Sequence, residues 1–117
     1  MKRILRVVDA DKGAVISERV EAATAFFSRL RGLLGRKSLG AGEGMLLRPA
    51  NSIHTFFMAF PIDVIFLDRS NKVVHLIPDM RPNHVSPLVR HGHTVIELPT
   101  GTIARSETTI GDQIQIE

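Results

Sequence analysis

Pro61-Ile62-Asp63-Val64-Ile65-Phe66-Leu67-Asp68 is the most strand-like stretch of the chain. From Ile62 to Leu67 it is almost continuously apolar and too short for a buried helix, which predicts a central strand covered on both faces. Asp68-Arg69-Ser70-Asn71 reads as a turn, and Lys72 to Ile77 returns as a hairpin partner. Upstream, Arg3 to Val8 and Ala14 to Val20 are short β-branched runs flanking Asp11-Lys12-Gly13, the pattern of a first hairpin. Met45 to Leu47 stops at Pro49, and Ser52 to Met58 reads as another strand. Downstream, Asp79 to His91 is a long irregular loop punctuated by Pro82 and Pro87. Thr94 to Leu98 is a strand, Pro99-Thr100-Gly101 a turn, and Gln113 to Ile116 a last strand after Gly111-Asp112. A helix is predicted over about residues 24–34, where Phe26, Phe27, Leu30, Leu33 and Leu34 recur at three- and four-residue steps between Thr24 as N-cap and Gly35 as C-cap. The expected fold is mainly β, a sandwich or barrel of about seven to eight short strands with one short helix.

The 117 residues suit one domain, 1–117, with 44% apolar and 23% charged residues, so wholesale disorder is excluded. There is no Cys, Trp or Tyr, which removes disulfides, a thiolate nucleophile and Cys-ligated metal from consideration. No apolar run approaches the length of a membrane-spanning helix. Arg6 interrupts the first apolar run and Asp9 and Asp11 end it, so no signal peptide is read and a cytoplasmic location is expected. Charge is segregated: residues 1–50 carry +5 and residues 51–117 carry −2. Between Glu21 and Glu43 there is no acid, while Arg29, Arg31, Arg36 and Lys37 cluster there as a candidate anion or nucleic-acid contact, or simply a solvated helix face.

The segment from Ser52 to Asp63 holds the most unusual chemistry. On an extended strand Ser52, His54, Phe56 and Met58 share one face and Ile53, Thr55 and Phe57 the other. Asp63 begins a buried strand, so its carboxylate must be hydrogen-bonded or paired. One reading makes His54 an acid/base or ligand group oriented by Asp63. The other makes Asp63 structural, in which case its replacement by Asn should keep most hydrogen bonds and cost little. His91 and His93, about 7 Å apart on one strand face, could share an ion, but Glu97 of a straight strand lies about 13–14 Å beyond His93. They are read as loop histidines beside a strand, so no metal is assigned. The glycines at positions 40, 42 and 44 match no phosphate-binding loop, and no cofactor is expected.

The order of blocks resembles a known family. Arg29-x-x-Gly32-Leu33-Leu34-Gly35-Arg36 comes first, then Gly44-Met45-Leu46-Leu47, Ser52-Ile53-His54-Thr55 and Met58. Phe60-Pro61-Ile62-Asp63-Val64-Ile65-Phe66-Leu67-Asp68, Val95-Ile96-Glu97-Leu98-Pro99-x-Gly101 and Ile110-Gly111-Asp112 complete it. Together they resemble the domain-of-unknown-function family 192, also called uncharacterised protein family 0127. The resemblance implies a jelly-roll-like β domain with a short helix and carries no settled activity. Several relatives carry secretion signals or lipid anchors. Asn51 stands where a Cys or small residue is often expected, so a thiol role does not apply here. The shared blocks imply a site at Ser52, His54, Met58 and Asp63, while Pro61, Gly101 and Gly111 are explained by backbone geometry. The expected function is non-enzymatic binding of a small ligand or protein partner, rather than nucleic acid, in a groove around Ser52 to Asp63 lined by the Asp79–His91 loop. The alternative is an acid/base or metal-assisted hydrolase using His54 and Asp63, and the third reading is anion contact through Arg29 to Lys37.

Overall fold

A computed structural model describes residues 3–23 and 36–117. Strand β1 (Ile4–Asp9) pairs antiparallel with β2 (Ala14–Ala23), and β2 pairs parallel with β3 (Glu43–Leu47). Strand β4 (Ile62–Leu67) lies between β5 (Val73–Met80) and β6 (Thr94–Leu98), antiparallel to both, and β6 also pairs with β3. Strand β7 (Ile114–Ile116) pairs with β1, so the sheet order is β5-β4-β6-β3-β2-β1-β7. Its two outer strands come together at one end. Lys72 bridges Gln113, the Val73 amide donates to the Asp112 carbonyl at 3.0 Å, and the Ile114 amide donates to the Asn71 carbonyl at 2.9 Å. The result is one curled, half-barrel sheet of seven strands, mainly β as expected and on the barrel side of the two alternatives.

Period-two alternation along the strands builds two cores. Leu5, Ile16, Leu46, Ile65, Ile96 and Ile114 belong to one cluster to which every strand contributes, an arrangement that the concave face of a curled sheet allows. Met45, Val64, Phe66, Met80 and Val95 form the second on the opposite face, where Met58 and Val89 from loops cover them. Strand β4 feeds both cores and is buried at every residue, as its apolar run requires.

Three features depart from the sequence reading. Ser52 to Met58 is not a strand; it makes an isolated antiparallel bridge at His54, opposite Val85, and then turns. Strand β5 runs past Pro78 to Met80 by way of a bulge opposite Asp63, which an edge strand tolerates. A helix, α1 (Thr102–Ser106), follows Gly101, whose φ of 92° is open to glycine without strain. The helix expected over residues 24–34 lies outside the described residues.

Candidate functional site

Thr55 organises the segment that the sequence singled out. It is fully buried, and each of its polar atoms is used. Its hydroxyl donates to the Arg81 carbonyl at 2.6 Å and accepts the His84 amide at 2.9 Å. Its amide donates to the His84 carbonyl at 2.8 Å, and its carbonyl accepts the amides of Asn83 at 2.9 Å and Met58 at 3.2 Å. One small β-branched residue thus clips two distant loops together. Ser86 supports the clip, its hydroxyl accepting the Ile53 amide at 2.9 Å while the Ser86 amide donates to the Ile53 carbonyl. Val89 donates to the Asn51 carbonyl at 2.8 Å at the far end of the same contact.

The Met58-to-Thr55 hydrogen bond closes a turn with Phe56 and Phe57 at its centre. Phe57 sits at φ 63°, a conformation that a bulky residue rarely adopts, and is 88% exposed. Its amide donates to Asn83 Oδ1 at 3.4 Å. His54 is exposed, its Nδ1 accepts the Phe56 amide at 3.3 Å, and its ring lies 5.4 Å from the Phe56 ring between centroids. Ser52 is half-buried, and Met58 turns inward to the second core.

Asp63 is elsewhere. It shares the first-core face of β4 with Ile65 and Leu67, whereas Ile53, Met58 and Phe60 pack on the opposite face. Its Oδ1 accepts the Asp79 amide at the β5 bulge and its Oδ2 accepts the Ile103 amide in the first turn of α1, both at 2.9 Å. With both oxygens engaged by backbone, it makes no hydrogen bond to His54. The four residues anticipated together therefore separate into an exposed His54, a half-buried Ser52, an inward Met58 and a stapling Asp63.

Glu97 faces the second core beside Met45 and Val64, its partners in the adjacent strands. Burial pushes its carboxyl up to about 7, and its Oε1 has no hydrogen-bond partner among the described residues. His91 is exposed at φ 66°, and burial together with Arg69 and Arg48 lowers the His93 imidazole below its usual value. Among the described residues no three His, Cys, Asp or Glu side chains are grouped to hold a metal, and no helix is long and apolar enough to cross a membrane. Of the basic cluster, Arg36 pairs with Glu21 at 3.0 Å and Lys37 is exposed, while Arg29 and Arg31 lie outside the described residues.

Residues 7–116 match the family model of DUF192, described as Uncharacterized ACR. The chain belongs to DUF192. A UPF0127 protein of Thermococcus sibiricus is 37% identical over 115 residues, covering 95% of this chain and 74% of that protein. Another, from Pyrococcus horikoshii, is 31% identical, covering 93% and 96%. The crystal structure of a protein of unknown function from Novosphingobium aromaticivorans superposes with a TM-score of 0.83 at 24% identity, covering 97% of this chain and 84% of that one, so the two share a fold. The sequence reading singles out His54 and brings the Asp79–His91 loop to the same segment, but gives no role to Thr55 or Phe57. The available signal was Phe56-Phe57, an aromatic pair in a chain with six Phe and no Trp or Tyr.

Proposed function

We propose that this DUF192 protein is a non-enzymatic binding module whose contact surface is the clipped loop pair, residues 52–58 and 81–90. One observation carries the reading: Thr55 holds the Phe56-Phe57 turn on a fixed backbone while Phe57 stays exposed in a conformation unfavourable for its side chain. Strain of this kind persists only where surrounding hydrogen bonds over-determine it, and it gathers at sites of contact. His54 and Ser52 belong to this surface, Met58 anchors it to the second core, and Asp63 supports the scaffold from the other face. The hydrolase alternative draws no support from His54 and Asp63, because the Asp63 oxygens are both committed to backbone amides.

The test is a structure and amide-shift map of protein isolated from its native host, with and without the ligand or partner that co-purifies. Contacts at His54 and Phe57 that vanish in His54→Ala and Phe57→Ser, with melting temperatures unchanged, are expected. Contacts confined to another face, or substrate turnover that survives both substitutions, would overturn it.

A further inference from the structure

We infer that the partner of the clipped loops is an anionic lipid surface, an inference that rests on the binding reading above and gives that surface its occupant. Six large apolar side chains are well exposed among the described residues, and four lie on these two loops: Phe57 at 88%, Leu88 at 79%, Val85 at 63% and Phe56 at 41%. His54 ties three of them into one patch, since it stacks beside Phe56 and bridges Val85, and Phe57 follows directly. The patch is not loose chain, for Thr55, Asn83 and Ser86 fix its backbone.

Its charge is one-sided. Residues 44–62 and 80–96 contain no Asp or Glu, although residues 51–117 as a whole carry net negative charge. Arg81, Arg90, His54, His84 and His91 are exposed on these stretches. Arg81 pairs with Asp79 at 3.0 Å, the carboxylate nearest in sequence to the loop. Exposed apolar groups beside Arg90 and Arg81, with Asp79 as the one carboxylate at their edge, match the interface of an anionic bilayer, where rings enter the acyl boundary and arginines meet headgroup phosphates. A peptide partner of the same charge would look for a groove, whereas here Phe56 and Phe57 occupy the corners of a turn and Phe57 stands clear of the protein.

The experiment is co-sedimentation of the whole chain with vesicles of phosphatidylcholine alone and of phosphatidylcholine with one-third phosphatidylglycerol, alongside amide spectra. Binding to the anionic vesicles is expected, at least tenfold weaker without phosphatidylglycerol and weakened by salt. The Phe57→Ser/Leu88→Ser double variant, which alters only exposed side chains, should lose at least tenfold in affinity, and Arg90→Glu several-fold, both with unchanged melting temperatures. Broadening of amide signals from residues 52–58 and 81–90 should accompany binding. No binding to anionic vesicles, or binding that the double variant retains, overturns the inference. If vesicles leave the spectra unchanged but an acidic peptide of alternating glutamate and leucine shifts the same signals, the lipid assignment fails and the binding surface stands. If self-association is instead lost in the double variant, a second copy is the occupant and the lipid assignment again fails. If vesicles and peptide each perturb only other faces, the binding reading fails with it.

Discussion

Two buried carboxylates show how far identity alone determines a role. Asp63 uses both oxygens as acceptors, one for the β5 bulge and one for an otherwise unsatisfied amide at the start of α1. The expectation that Asn would be cheap therefore changes: its amide nitrogen would face a backbone N–H. Asp63→Asn and Asp63→Ala should each cost about 1–3 kcal/mol in denaturant unfolding, with Asn close to Ala rather than to wild type. Glu97 has the opposite problem, a buried carboxyl with an unpartnered oxygen. Its folded value of about 7 lies above its usual 4.5, so the folded chain holds the proton longer than the unfolded chain. The stabilising contribution is complete below 4.5 and is lost as pH rises toward 7, amounting to roughly 3 kcal/mol. Glu97→Gln should remove that loss. Unfolding measured at pH 5 and pH 8 should then show a steep decline for wild type and a flat response for the variant.

At the level of elements, legibility followed the range of the interactions that make each one. The strands at Ile62–Leu67 and Thr94–Leu98 were readable to the residue because a burial pattern is local. The segment 52–58 was not. Its alternation resembles a strand, but its shape is dictated by carbonyls and amides at positions 81, 83 and 84 that Thr55 reaches from far along the chain. Helix α1 was missed for a similar reason: five residues cannot nucleate a stable helix by themselves, and the Ile103 amide is satisfied by Asp63 forty positions away. The Thr55 clip gives a direct test. Thr55→Val keeps the shape and removes the hydroxyl, leaving the His84 amide and Arg81 carbonyl short of a partner. A loss of about 1–3 kcal/mol is expected. Hydrogen exchange should rise across residues 81–86 and stay unchanged in β4 and β6. Uniformly faster exchange would mean that the clip belongs to the global core instead.

For the whole molecule, the sequence order concealed the closure of the sheet. Nothing local says that β6 inserts between β3 and β4, or that β7 returns to β1 and meets the far edge through Lys72 and Gln113. Beside that junction Asp9, Lys12, Thr109 and Asp112 form a polar cluster. Lys12 Nζ donates to Asp112 Oδ2 at 2.7 Å, and Asp9 Oδ1 accepts the Lys12 amide at 2.9 Å. Burial and the neighbouring Asp112 raise the Asp9 carboxyl; burial opposes ionisation of Asp112 too, but its hydrogen bonds from Asp9, Lys12 and Thr109 hold it well below the usual range. Asp9 Oδ2 has no hydrogen-bond partner among the described residues. Ile114 sits just past this junction, 1% exposed, and adds the last strand's contribution to the first core. Truncating it should therefore act on the closed sheet rather than on one end of the chain. Ile114→Ala is expected to cost about 2–5 kcal/mol in a single cooperative transition. Exchange should quicken together in β1, β5 and β7, because the last strand joins the other two across the seam. Loss of protection in β7 alone, with β1 and β5 unaffected, would show that the two edges meet without supporting each other.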